Sequence, residues 1–205
     1  MLIPAASSHF MRLFVAVDID DAIRERITRF LEGVRGFAEE ARWVRPESLH
    51  VTLKFIGEKS EEEVQNIKRV LETIDAGVFE MSIRGYGFFP GARAPRVFWV
   101  GIEGGPQLTS LAATVDEKLA GLDIPKEEHA FTPHLTLARG AGGSGSPRKQ
   151  KGDHPNSSFQ HLQEKLAAFA APDFGAMTAR EFFLYQSQPS RGGSKYRKLA
   201  SFNLR

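Results

Sequence analysis

Two histidines, His50 and His134, open the same short pattern: HVTLKFIG at 50–57 and HLTLARG at 134–140. In each, one apolar residue separates the histidine from a threonine, Thr52 or Thr136, and a leucine follows. Imidazole titrates near pH ~6.5, so one ring can accept a proton while another gives one. That pairing suits in-line displacement at phosphorus, where an incoming oxygen is deprotonated and a departing one protonated. The threonine hydroxyls add donors for the non-bridging oxygens, on which charge gathers in the transition state. A lone His-x-Thr on a strand is ordinary structural material. Its recurrence asks for a function, because a purely structural histidine is as free to drift in either copy as any other residue.

A strand turns successive side chains to opposite faces. Strict alternation puts His50, Thr52 and Lys54 on one face, with Val51, Leu53 and Phe55 on the other. In the second copy His134, Thr136 and Ala138 share a face, with Leu135 and Leu137 opposite. The apolar sets pack on helices, which leaves the His/Thr sets for a cleft. A metal is the main functional competitor and needs three or four ligands. No Asp or Glu shares the His/Thr faces, so the expectation is no metal and no cofactor. His129 precedes the second motif. His154 and His161 fall in or just after a loop, where solvent is the expected surrounding.

The elements that carry the histidines are themselves duplicated. RLFVAVDI at 12–19 matches RVFWVGIE at 96–103; Arg12 and Arg96 lie 84 positions apart, as do His50 and His134. Between strand and histidine each copy has an amphipathic helix, with Ile23, Ile27, Phe30, Leu31 and Val34 in one. Leu108, Leu111, Ala112, Val115 and Leu119 mark the other, at the same i, i+3, i+4 spacing. Past the histidines the offset becomes 95, where Val64, Ile67, Leu71 and Ile74 match Phe159, Leu162, Leu166 and Phe169. Ser60 and Glu63 form a capping box for the first of these helices. MSIRGYGFF at 81–89 then matches MTAREFFLY at 177–185 with an offset of 96. The change of offset locates an insertion of about 11 residues in the Gly/Ser-rich segment 140–158. Each copy reads strand, helix, histidine strand, helix, strand, over about 12–95 and 96–205. This mixture indicates an α+β fold with helices over one face of each sheet. Exchange of strands between the copies is left open.

Bulk composition narrows the class. The 205 residues suffice for one large domain or two small lobes. A net charge of +2 implies no general affinity for nucleic acid, so an anion site must be a local patch. The absence of cysteine excludes disulfides, thiolate nucleophiles and cysteine-ligated metals, and fits a reducing compartment such as the cytoplasm. No apolar run reaches the ~18 residues of a membrane helix. Residues 1–10 are expected to be a disordered extension ahead of a domain at 11–205. The loop 140–158 is no phosphate-binding loop, since Ser146 and Pro147 stand where Lys and Ser/Thr belong. Its Arg148, Lys149 and Lys151 leave room for phosphate contact.

With RLFVAVDI, WVRPESLHVTLKFIG, ARAPRVFWVGI, HLTLARG and LYQSQPSRGGSKYRKLASFNL, the chain resembles the two-histidine phosphoesterase superfamily over 11–205. Within it the chain resembles the RNA 2′,3′-cyclic phosphodiesterases, historically named 2′-5′ RNA ligases. The resemblance implies a bilobal duplicated fold, with two antiparallel sheets flanking a central cleft and helices on the outer faces. It implies metal-independent hydrolysis of an RNA terminal 2′,3′-cyclic phosphate to a 2′-phosphate, with His50 as proton donor and His134 as acceptor. The residues themselves leave that assignment open, since the site is nearly symmetric. Thr52 and Thr136 carry over as phosphate ligands, joined by Arg139, whose place on the cleft face requires the strand to end or bulge near Ala138. Lys54, Phe14 and Phe55 are candidate substrate contacts, and Trp43 and Trp99 are further stacking candidates for a base. Arg191, Lys195, Arg197 and Lys198 of the tail hairpin are candidates for the RNA backbone. The expected partners are RNA ends or small cyclic nucleotide phosphates, with no membrane and no obligate protein partner. The chain is expected to act as a monomer, because duplication supplies the symmetry a dimer would. ATP-independent 2′-5′ ligation and a non-catalytic RNA-end binding module are the rival readings.

Overall fold

The computed structural model describes residues 10–140, 159–190 and 193–205. The expectations for residues 1–9, for most of the 140–158 loop with Arg148, Lys149, Lys151 and His154, and for Arg191 lie outside them. In chain order the elements are β1 (Met11–Asp18), α1 (Asp21–Val34), β2 (Arg42–Trp43), β3 (His50–Lys59), α2 (Glu61–Glu72), β4 (Phe79–Phe89) and β5 (Val97–Glu103). There follow α3 (Gly105–Ala120), β6 (His134–Arg139), α4 (Gln160–Leu166), β7 (Asp173–Ala179), β8 (Glu181–Ser190) and β9 (Gly193–Asn203).

All strand pairs are antiparallel, in the order β7-β4-β5-β6-β3-β1-β8-β9, with β2 attached to β6. Each half carries one histidine strand at its inner edge, and the halves join there through the pair Val51↔Leu135. The two expected sheets are therefore continuous, curled around the cleft. The copies do exchange strands: β4 of the first pairs with β5 of the second, and β8 of the second pairs with β1 of the first. Neither copy can close its own half, so the cleft forms only when the whole chain folds.

The helices start and bury as their sequences require. The Asp20 carboxylate accepts from the Ile23 N–H at 2.8 Å to cap α1, and Ser60 and Glu63 cap α2 reciprocally. Ile23, Ile27, Leu31 and Val34 of α1 face the core, as do Leu108, Leu111, Ala112, Val115 and Leu119 of α3. This outer-side core is one continuous cluster, whereas a second, small cluster on the cleft side joins Phe14, Ala16, Phe183 and Tyr185, with Tyr196 against them. Two expectations change. The helix matched to Phe159–Phe169 ends at Leu166, and Phe169 is exposed. Met177–Tyr185 is two strands, broken at Arg180, and Met177 faces Met81 across the β4–β7 ladder.

A paired irregularity in the histidine strands matters most for the site. Along β3, Ala16 pairs with Thr52 but Val15 with Lys54, so Leu53 is an extra residue. Along β6, Trp99 pairs with Thr136 but Phe98 with Ala138, so Leu137 is the extra residue. Such bulges invert the alternation beyond them. Lys54 therefore turns to the core, not to the cleft. It is 2% exposed, and its ammonium bonds the Asp116 carboxylate on α3 and the Pro125 carbonyl, with Glu127 at 3.8 Å. Lys54 is thus corrected from a candidate substrate contact to a clamp between β3 and α3. The same inversion sends Phe55 and Arg139, which occupy matching places in the repeat, to the cleft side.

Candidate active site

Between the halves lies a cleft of about 570 Å³. His50, Thr52, His134, Thr136 and Arg139 all line it, so the duplicated motifs converge as their repetition predicted. Phe14 and Phe55 line it as well, joined by Arg12, Arg42, Ser48, Ser187, Ser194 and Tyr196. The lining includes no carboxylate among the described residues.

Each imidazole is fixed in the same way. His50 Nδ1 lies 2.8 Å from the Ser48 carbonyl, and His134 Nδ1 lies 2.8 Å from the Thr132 carbonyl. A carbonyl only accepts, so Nδ1 carries the proton in both rings and Nε2 of the neutral ring keeps its lone pair for the cleft. Aromatic rings hold the orientation. Phe14 sits 4.8 Å from His50 between centroids, and Tyr196 meets its edge at 5.1 Å. Around His134, Phe89 packs edge-on at 4.9 Å and Trp99 at 6.3 Å. The Trp99 ring reaches across Gly87, where a Cβ would stand 2.2 Å from it, so the residue at that position must be glycine.

Electrostatics make the cleft receptive to an anion. Burial is the main cause that lowers the His50 pKa to about 4, opposed by the Ser48 hydrogen bond and the Asp18 carboxylate. Burial likewise lowers His134, and Arg139 adds to it. Both rings are neutral at pH 7. Arg139 is itself held below its usual value, first by burial and then by Arg42 and Arg12, while remaining charged. The negative charge of a phosphate in the cleft would favour the charged form of each group and so oppose these effects.

The comparisons with known proteins fit this geometry. A profile described as LigT-like phosphoesterase matches twice, over residues 17–99 and 100–196, once on each copy of the repeat. The chain belongs to the LigT-like phosphoesterases. It is 35% identical over 192 residues to the RNA 2′,3′-cyclic phosphodiesterase of Archaeoglobus fulgidus, covering 94% of this chain and 99% of that one. It is 30% identical over 196 residues to the protein of the same name from Methanothermobacter thermautotrophicus, covering 95% and 99%. The crystal structure of E. coli LigT complexed with 3′-AMP superposes with a TM-score of 0.74 at 26% identity, over 96% of this chain and 99% of that one.

Other sequence candidates fall elsewhere in this LigT-like phosphoesterase. Trp43 donates from Nε1 to the Ala38 carbonyl at 3.1 Å and packs on Phe98, which makes it structural. Trp99 walls His134 without lining the cleft. His129 is exposed, and His161 packs on Phe37 outside the cleft. Lys195 and Arg197 are exposed on β9, while Lys198 is bound to Asp18 at 2.7 Å and lies 3.7 Å over the Phe183 ring. No group of three or more acidic or histidine side chains converges among the described residues. No helix among them is long and apolar enough to cross a membrane.

Proposed function

We propose that this protein hydrolyses the 2′,3′-cyclic phosphate at RNA ends to a 2′-phosphomonoester, with His134 as general base and His50 as general acid. The observation that supports this reading best is the pair of imidazoles, each tied through Nδ1 to a carbonyl two residues before it, which leaves both Nε2 atoms for the cleft. The substrate's anionic phosphate favours a proton on Nε2 of His50, while His134 stays neutral. His134 Nε2 removes a proton from water as it attacks phosphorus. The P–O3′ bond breaks on the opposite side, and His50 delivers the proton to that oxygen. One proton enters and one leaves, so the pair resets by exchange with solvent. Thr52, Thr136 and Arg139 hold the equatorial oxygens, and Phe55, exposed in the cleft, offers a face for the terminal base. The chemistry asks no metal of the protein. The same reading takes RNA ends or small cyclic nucleotides as substrates. It takes the chain as a cytoplasmic monomer, since both halves of the cleft come from one chain.

Phosphorus NMR tests the proposal. A short RNA ending in a 2′,3′-cyclic phosphate, incubated with the protein and EDTA, should give a 2′-monophosphate resonance with no loss of rate to the chelator. An unchanged cyclic phosphate that nonetheless binds would turn the assignment to an RNA-end binding module.

A further inference from the structure

The two half-sites differ in one charged group beside the rings. Across the β1–β3 ladder the partner of His50 is Asp18; across the β5–β6 ladder the partner of His134 is Gly101. Directly opposed residues project to the same side of a sheet. One half therefore sets a carboxylate beside its histidine where the other half has only a hydrogen.

The carboxylate, carried on β1, is held from two further strands. The Tyr185 hydroxyl on β8 donates to Asp18 Oδ1, and Lys198 Nζ on β9 lies 2.7 Å from Oδ2. Tyr185 stacks on Phe14 at 5.1 Å, and Phe14 in turn packs on His50. Burial and Asp18 both raise the Tyr185 pKa, which keeps its proton as the donor throughout the working range. The groups facing His50 are Asp18 from β1, Tyr185 from β8, Tyr196 from β9, and Arg139 and His134 from β6. Asp18 is the negative one among them. Those facing His134 are Arg139, Phe89 and Trp99, with no carboxylate among the described residues.

We propose that Asp18 is a positioning residue that breaks the near-symmetry of the cleft and keeps the catalytic proton on His50 in the substrate complex. The inference rests on the reading of His50 as the acid. Burial by itself holds both rings neutral. A phosphate between them favours the charged form of either, and Asp18 adds its attraction to one side only. The proton then resides opposite the departing 3′-oxygen, and His134 is left free to take the proton of water.

Asp18→Asn and Lys198→Met test this in opposite directions. Asn keeps an acceptor for Tyr185 and removes the charge. It should move the alkaline limb of kcat on the cyclic substrate, the profile that reports the substrate complex, to lower pH and cost about tenfold at pH 8, one pKa unit being a factor of ten. Lys198→Met removes the cation that offsets Asp18, and should move that limb to higher pH. A second substrate, a 3′-deoxynucleoside 2′-(p-nitrophenyl phosphate), expels a group that leaves without protonation. The ratio of its rate to that of the cyclic substrate should rise about tenfold in Asp18→Asn. Equal losses on both substrates, or limbs that shift the same way in the two variants, would overturn the proposal and leave Asp18 with Tyr185 and Lys198 a structural contact only. His50→Ala run on both substrates separates the layers. If it shows no selective rescue by the nitrophenyl ester, the acid assignment itself fails, whatever Asp18 does.

Discussion

Alanine at His50 or at His134 should lower kcat/KM for a 2′,3′-cyclic phosphate by ~10²–10⁴, the range that general acid–base help supplies. Binding of a non-hydrolysable cyclic analogue should change far less, because Thr52, Thr136 and Arg139 remain in the cleft. The double variant should lose little more than the worse single one. Attack and departure are coupled in one displacement, so once either proton transfer is missing the other histidine has less to act on. Single-turnover rates, which exclude product release, are the proper reading. Fully multiplicative losses would mean that the two rings serve separate steps.

Arg139→Ala should cost ~10²–10³ in kcat, comparable with the loss of one preorganised donor to a developing oxyanion. Arg139→Lys should recover only part of it. The planar fork can hold two phosphate oxygens at once, while an ammonium is a point charge. Arg139 stands at the end of β6, opposite Arg42 on β2 and Val97 on β5, so its backbone is held from both sides. A loss confined to KM would assign it to ground-state binding and contradict a role in stabilising the transition state.

What the sequence shows of this site follows the reach of local patterns. The pair His50/Thr52 and its copy His134/Thr136 are legible because each pair lies before the bulge, where period-two alternation still holds. Lys54 is misread and Phe55 assigned to the wrong face because Leu53 enters as an extra residue, and that depends on pairing with β1, not on the residues of β3 themselves. The matching bulge at Leu137 supplies the irregularity that Arg139 needs. Helices declare themselves through caps and apolar stripes, yet exchange of β4 and β8 between the halves leaves no local trace. Either pairing would bury the same faces. Asp18 and Arg12 are within reach of the sequence, since alternation along β1 puts Arg12, Phe14, Ala16 and Asp18 on one face. Tyr185 and Tyr196 are not, because their place beside His50 comes from the register of the β8–β9 hairpin against β1.

The central claim is that the two histidines move protons and form no bond to phosphorus. Hydrolysis of a 2′,3′-cyclic phosphorothioate of single configuration in ¹⁸O-water reads this directly from the configuration of the product. A single displacement by water gives inversion at phosphorus, and inversion is the expected result. Retention would require two displacements through a phosphohistidine, and would make one ring a nucleophile in place of a base.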